Sequence, residues 1–450
     1  MFEELKRLFA TDAPPRDGLT GGDASLLDVL DLGLLRSEAR AADIAAGRVS
    51  AKDPNQRRLE AARVWRELAR RTGDPVALRN AALGAEKAVQ GFKAEGRTKA
   101  WAAARCEQAM SAMLGAELYG DEGLNAAAEI ALNDAAAAGP SGACAAIAAG
   151  QLARLKAQGL FADGGYESVK VAAAAFDAPI AALATHLRSK AVSKALLADL
   201  RCQRAELMMS AAARLRDVRL YEQAIVELDR LSGRLDAAYE PLARARALAL
   251  AASARVGLGR TLGRIEDVAE GVELMVAAID LVTPDHSPLD WARLQYTLAR
   301  ALQALGEGSE TDRAFEHALS CYQRALWVTR GQPALALRAV MSQDQARCLA
   351  RRAELAAEPG LLDDAIIYLL QDLQQIHPGR DPVGWAIVQV NLAQLYLARL
   401  DLHGGAVSGR DRDRAAAALS LSAAIEVFGE HGLRSLIDHA TGALEALEAR

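Results

Sequence analysis

Histidines and cysteines are the side chains of this 450-residue chain best suited to ligate a transition metal. Such a site needs several ligands at short, regular spacing. His317 and Cys321 lie one helical turn apart, but no second pair accompanies them. His431 and His439 lie eight residues apart without an H-E-x-x-H pattern. We therefore predict no metal site and expect ordinary surface or packing histidines.

Glycines in segment 257–263 superficially suggest a phosphate-binding loop. The segment lacks the P-loop lysine and the Gly-x-Gly-x-x-Gly spacing, and no strand pattern precedes it. Gly259 recurs as Gly306 after 47 residues, so we expect both glycines in turns between helices. The chain also has no Gly-x-Ser-x-Gly nucleophile elbow. These patterns predict a protein that is not an enzyme and needs no cofactor.

A 47-residue repeat provides the elements that position the polar side chains. Ala299, Ala346 and Ala393 are separated by this interval, and each lies in a segment of helical apolar periodicity. The same step leads back to Ala252 and Ala205. A second helix recurs in each unit, and Pro-containing turns separate the units. Two matching helices per unit predict helical hairpins that stack on one another.

The composition agrees with a helical solenoid. Hydrophobic residues make up 51% of the chain but aromatic residues only 4%, so Ala and Leu must build most of the core. The net charge of −5 argues against a protein that wraps nucleic acid, which needs a surplus of Lys and Arg. We therefore expect no nucleic-acid partner.

Cysteine usage and hydropathy predict a cytoplasmic protein. The five cysteines are scattered, odd in number and without a C-x-x-C pair, which favours a reducing compartment. The N-terminus lacks a signal-peptide core. The Ala-rich run 135–153 is interrupted by Gly and Pro at 139–142, so we expect a loop there and no transmembrane segment.

The repeats resemble the tetratricopeptide repeat (TPR). The matching residues of the first helix are Trp291, Leu298, Ala299 and Leu302, and those of the second helix are Ala318, Tyr322 and Ala325. The resemblance implies an all-α fold, a right-handed α-solenoid of stacked antiparallel helix pairs with capping helices. The 47-residue period exceeds the usual value of about 34 and overlaps the range of HEAT and armadillo repeats, which leaves those repeat classes as alternatives. Arg338 stands where the next unit would have Trp.

Four segments are predicted along the chain. Residues 1–50 form N-terminal helices and a Pro/Gly-rich loop, 51–190 divergent helical hairpins, 191–430 the TPR-like repeats, and 431–450 a C-terminal capping helix. Within the divergent part we expect one helix over 166–186. In the last hairpin we expect a solvated loop over 402–414.

The resemblance also indicates where a partner would bind. In this family the first helices line the concave groove, and residues flanking the small position point into it. The corresponding residues are Tyr296, Arg300 and Gln303, then Gln343, Arg347 and Arg351, then Asn391 and Gln394. Arginines there can bind the carboxylates of an acidic or C-terminal peptide. Alternatively, they are exposed helix-face residues that nearby carboxylates neutralise.

The N-terminal segment offers another docking surface. Phe2, Leu5 and Phe9 would lie on one face of a short amphipathic helix that docks on a partner or a membrane surface, or packs on the first hairpin of the chain.

The leading functional hypothesis is a non-catalytic adaptor or scaffold that binds a protein or peptide partner in the groove. The alternative is a regulatory sensor whose superhelix changes shape when a peptide or small ligand binds. Self-association through Ala-rich helical ends is a further possibility.

Overall fold

The computed structural model is entirely helical over the residues it describes. These are 27–48, 52–139, 141–161, 164–187, 192–309, 311–332, 335–375, 378–379, 381–402 and 407–449. In chain order the helices are α1 Leu32–Gly47, α2 Pro54–Thr72, α3 Pro75–Ala94, α4 Thr98–Tyr119, α5 Gly123–Ala138, α6 Ala143–Gln158, α7 Tyr166–Ala174, α8 Asp177–His186, α9 Lys194–Leu215, α10 Val218–Ser232, α11 Pro241–Leu262, α12 Ile265–Ile279, α13 Pro288–Ser309, α14 Asp312–Val328, α15 Ala336–Ala356, α16 Pro359–Gln375, α17 Pro382–Leu402, α18 Val407–Glu430 and α19 Arg434–Glu448. No strand occurs within these ranges.

The chain divides into two compact units. The first lies within 1–117 and 121–294, and the second within 118–120 and 295–450. In each unit consecutive helices pack together. The first helices of successive pairs are also in contact: α9 packs on α11 in the first unit, and α15 packs on α17 in the second. The predicted all-α solenoid of stacked helix pairs is therefore confirmed. The four predicted sequence segments remain a prediction.

The 47-residue period determines where the downstream helices begin. First helices start at Lys194, Pro241 and Pro288, and second helices start at Val218 and Ile265, each 47 residues after its predecessor. Proline is tolerated at a helix start because the first N–H groups have no partner within the helix. The proline signals in the sequence therefore mark real helix boundaries.

The repeated alanines fill the tightest positions of the core. Ala205, Ala252, Ala299, Ala346 and Ala393 are each at most 2% exposed. A side chain of this size lets neighbouring helices approach closely, and a larger one would have to displace packed atoms. The burial of these alanines is therefore consistent with a closely packed position that recurs in each unit.

The prediction that Gly259 and Gly306 lie in turns is wrong. Both glycines allow close packing of helices instead. Both lie inside first helices, near the C-terminal ends of α11 and α13. A Cβ atom at Gly259 would lie 2.8 Å from the Arg264 carbonyl oxygen, and one at Gly306 would lie 2.8 Å from the ring of Phe315. The turn after α11 is formed instead by Gly263, whose φ of 68° is left-handed.

Arg338 replaces the expected Trp with a polar contact. Its Nη1 donates a hydrogen bond of 2.8 Å to the carbonyl oxygen of Leu326, near the end of α14. Helix C-termini carry carbonyl groups without partners and a partial negative charge, so a guanidinium satisfies both.

The single helix predicted over 166–186 is divided in two. It breaks between α7 and α8 at Ala175 and Phe176. Pro179 explains the break, because in a continuous helix its ring would clash with the carbonyl of Ala175. Tyr166–His186 is the one described stretch long and apolar enough to cross a membrane. Its two helices of 9 and 10 residues are each too short to span a bilayer, which takes about 20 residues.

The loop predicted over 402–414 is mostly helix. α18 already begins at Val407, and Asp413 lies buried in a pair with Arg399, whose Nε is 2.9 Å from Asp413 Oδ2. Arg414 donates at 3.0 Å to the carbonyl oxygen of Leu447 in α19. Asp413 and Arg414 therefore hold helices together, whereas Arg410, Asp411 and Arg412 are exposed as predicted.

Ion pairs connect distant helices within the first unit. Arg70 of α2 lies 2.8 Å from Asp290 at the start of α13, although 220 residues separate them. Arg293 of α13 lies 2.6 Å from Glu117 of α4, which Arg154 of α6 also contacts at 2.9 Å. These pairs link the first helices of hairpins that are remote in sequence.

Candidate functional site

Three predicted groove residues converge on Asp344 in the second unit. The Tyr296 hydroxyl donates to Asp344 Oδ2 at 2.7 Å. Arg347 Nη1 lies 3.3 Å from Asp344 Oδ1, and Arg300 Nε lies 4.0 Å from Oδ2. The Arg300 guanidinium also lies over the Tyr296 ring, 5.7 Å from its centroid. The structure therefore brings together residues of two successive first helices, α13 and α15. The sequence missed Asp344.

This cluster carries more positive charge than its carboxylate neutralises. The side chains of Arg300 and Arg347 are 62% and 55% exposed, whereas that of Asp344 is 18% exposed. One carboxylate cannot saturate the donors of two guanidinium groups, each of which has five N–H bonds. Both arginines therefore present free donors to the surrounding solution.

Tyr296 acts as a fixed donor in the cluster. Burial, followed by the nearby Asp344 charge, raises the pKa of Tyr296, while Arg300 opposes this shift. The hydroxyl therefore stays protonated at neutral pH and holds Asp344 in place. The ring of the fully buried Tyr322 lies beneath it, with centroids 6.1 Å apart and planes inclined by 56°.

Gln303 and Gln343 are engaged by neighbouring side chains. Gln303 Nε2 donates to Glu307 at 3.0 Å, and its Oε1 accepts from Tyr322 at 3.4 Å. Gln343 contacts His439 of the C-terminal helix α19. Burial, and then the charge of Arg347, lowers the pKa of His439, so the imidazole is neutral at pH 7. Sequence spacing gave no signal of this contact, because 96 residues separate its partners.

The remaining predicted groove residues occupy three different environments. Arg351 is exposed one turn beyond Arg347 and pairs at 2.8 Å with Glu354 on the same helix. Asn391 is only 1% exposed and donates to Ser342, so its amide is a packing contact in this structure. Gln394 is partly buried. The open polar surface is therefore the row formed by Arg300, Arg347 and Arg351.

The predicted N-terminal docking residues, Phe2, Leu5 and Phe9, lie outside the described residues.

Two of the scattered cysteines are neighbours in space. The Sγ atoms of Cys106 on α4 and Cys144 on α6 are 3.4 Å apart and are not bridged. Cys202, Cys321 and Cys348 are buried elsewhere. Among the described residues no cluster of three or more His, Cys, Asp or Glu side chains has the geometry of a metal site.

No family model matches this chain, and no curated protein matches it. Solved structures that it resembles include the human IFIT1 dimer with PPP-AAAA, at 13% identity and a TM-score of 0.39, covering 98% of this chain and 96% of that one. Another is a circular tandem repeat protein with novel repeat topology and enhanced subunit contact surfaces, at 16% identity and a TM-score of 0.25, covering 93% and 95%. Scores this low carry no argument about function. The helix packing itself defines the class, an all-α helical-repeat protein.

Proposed function

We propose that this chain is a non-catalytic adaptor or scaffold in the cytoplasm that binds a segment of a protein partner on the exposed face of α13 and α15. The observation that supports this function is the pair Arg300 and Arg347, which come from successive first helices and share the single carboxylate of Asp344.

The chemistry of this face favours a carboxylate-bearing peptide. A guanidinium binds a carboxylate through two parallel N–H···O bonds, and such charge-assisted bonds contribute about 1.5–3 kcal/mol each. Asp344 orients both arginines before a partner arrives, which reduces the entropy lost on binding. Arg351 extends the row by one helical turn, so a partner with several acidic residues has successive contacts.

The test compares proteins captured from a lysate of the native cells. The wild type, Arg300→Glu/Arg347→Glu and the control Arg313→Glu/Arg324→Glu serve as bait, and bound proteins are quantified by mass spectrometry. The control reverses two exposed arginines of α14 in the same unit. Circular dichroism and melting temperature confirm that both variants are folded.

We expect at least a tenfold loss of one abundant partner from the Arg300/Arg347 variant alone, which corresponds to about 1.4 kcal/mol or more. An identical set of partners for all three baits would refute binding at this face.

A regulatory sensor is the alternative, and the Gln343–His439 contact is the observation that favours it. A ligand on this face would compete with α19 for Gln343 and could release the C-terminal helix. Small-angle scattering with saturating partner peptide distinguishes the two functions, because a sensor changes its dimensions and a rigid adaptor keeps them.

A further inference from the structure

A groove in the first unit is lined by five arginines. It lies among α8, α9 and α10 and has a volume of about 700 Å³. Arg201 and Arg204 belong to α9, Arg219 and Arg230 to α10, and Arg234 follows the end of α10. None of these arginines was predicted as a site residue, because none of them occupies a groove position of the repeat.

Among the described residues, the carboxylates that line the groove belong to two glutamates. Arg204 already binds one of them in a bidentate pair, with Nη2 2.5 Å from Glu227 Oε1 and Nε 3.1 Å from Oε2. The other is the exposed Glu222. Five arginines and two glutamates line the groove, and Asp177 of α8 also pairs with Arg204, so the groove with its paired carboxylates carries a formal charge of +2.

The other four arginines of the groove form no ion pair within the described part of the chain. Arg201 is the most desolvated of the four, because it is half-buried. Burial lowers the pKa of Arg201 and the like charges of Arg234 and Arg204 add to this shift, while the carboxylate of Glu227 opposes it; the guanidinium remains charged. Because Glu227 is already paired with Arg204, a further anion in the groove would stabilise the partly desolvated Arg201.

The arginines of α10 are not required by the core. The helix buries Leu220, Ala224 and Leu228 on its opposite side. One stripe on the groove side of the helix contains Arg219, Val226 and Arg230, because they are separated by seven and four residues. Val226 is 48% exposed. The stripe therefore has an apolar side chain between two cations.

We infer that this groove is a second binding site, for an acidic peptide segment that carries an apolar side chain between its carboxylates. The apolar side chain would lie on Val226 and Ile180, and the carboxylates would bind the arginines on either side. Charge complementarity selects this partner. Single-stranded nucleic acid fits less well, because its binding grooves usually provide aromatic rings for base stacking, and none lines this groove among the described residues.

This inference does not depend on the proposed function of α13 and α15, because it concerns different residues in a different unit. It adds the second attachment point that an adaptor needs in order to connect two partners.

The test measures binding of a fluorescent peptide, in which each leucine is flanked by glutamates, to the full-length chain by anisotropy. The same peptide with glutamine at every glutamate is the neutral probe. Arg219→Glu/Arg230→Glu removes the groove charge. The matched control is Arg36→Glu/Arg40→Glu, which reverses two exposed arginines of α1 in the same unit.

We expect the groove variant to bind the acidic peptide at least tenfold more weakly than the wild type and the control variant. Affinity should also fall as salt rises, and the neutral peptide should bind at least tenfold more weakly than the acidic one. Arg300→Glu/Arg347→Glu should keep the groove affinity.

Three results would overturn the inference: equal binding by the groove variant and the control, equal binding of the neutral and acidic peptides, or loss of binding only in the Arg300/Arg347 variant. A single-stranded RNA oligomer that bound the groove more tightly than the acidic peptide would also overturn it. Circular dichroism of each variant ensures that lost binding does not reflect unfolding.

Discussion

Asp28 is a buried carboxyl group in the first unit that destabilises the fold when it is ionised. It is 6% exposed and accepts a hydrogen bond of 3.2 Å from the Leu242 N–H. Burial raises the pKa of Asp28 to about 6, although the nearby Arg70 opposes the shift. Because the folded-state pKa lies above the unfolded value of 3.8, ionisation costs stability as the pH rises from about 4 to about 6.

Asp28→Asn should therefore stabilise the chain in a pH-dependent way. The neutral amide avoids the ionisation cost, so the advantage of the variant should grow by about 1–2 kcal/mol between pH 5 and pH 7.5. Urea unfolding of both proteins at the two pH values measures this change. A stability difference that stays constant with pH would show that Asp28 is not protonated preferentially in the folded state.

Cys106 and Cys144 form a thiol pair that should respond to peroxide. The hydrogen bond from Cys106 lowers the pKa of Cys144, so Cys144 is the better nucleophile. Its thiolate attacks hydrogen peroxide, which gives a sulfenic acid and hydroxide. Attack by the Cys106 sulfur then forms the disulfide and releases water.

Peptide mapping after mild peroxide treatment should find a Cys106–Cys144 crosslink with two hydrogens lost. Cys144→Ser is the control, since it removes the nucleophile and should leave Cys106 reduced. Oxidation of the buried Cys202 at the same rate would contradict the special reactivity of the pair.

At the scale of the elements, close helix contacts depend on glycines. The repeat interval identified these glycines, but the sequence analysis predicted them in turns and they lie inside helices. The repeat interval identified Gly259, yet only the packing of α11 against the following turn explains it. Gly259→Ala should destabilise the chain by about 1–3 kcal/mol, because the new methyl group would press on the carbonyl of Arg264. Thermal unfolding followed by circular dichroism measures the loss.

Gly442→Ala provides a matched control in α19. It also lies inside a helix, but in the described part of the chain nothing beyond its own helical backbone comes within 4 Å of where a Cβ atom would lie. Alanine there should stabilise by about 0.5–1 kcal/mol through helix propensity alone. Equal effects of the two substitutions would refute the close-approach role of Gly259.

Local periodicity predicted the elements well because each helix start depends on nearby residues. The starts at Pro241 and Pro288 and the buried Ala299 all follow from the 47-residue interval. The candidate site was harder to predict. Arg300 and Arg347 were found because they flank repeat positions, whereas Asp344 and His439 become partners only through tertiary packing. The five-arginine groove was missed because none of its arginines occupies a predicted groove position, although α9 and α10 lie within the predicted repeats.

At the scale of the molecule, a repeat interval predicts which helices are neighbours but cannot predict contacts between remote hairpins. The Arg70–Asp290 pair spans 220 residues of the first unit. Both side chains are largely shielded, at 28% and 18% exposed, and Glu67 and Ser287 complete their hydrogen bonds. Nearby Arg70 and Arg293 hold the pKa of Asp290 below its usual value against the opposing effect of burial.

Asp290→Asn should therefore weaken a contact that holds α2 and the start of α13 together. Without the Asp290 carboxylate, Arg70 keeps its pair with Glu67, which Arg71 shares, so the shielded cluster has an excess of positive charge and we expect a loss of about 2 kcal/mol. Native-state hydrogen exchange should show faster exchange in both α2 and the start of α13, with α17 of the second unit unchanged. Faster exchange in α13 alone would mean that the pair contributes only local stability and that neighbour packing is enough to hold the remote hairpins of the first unit together.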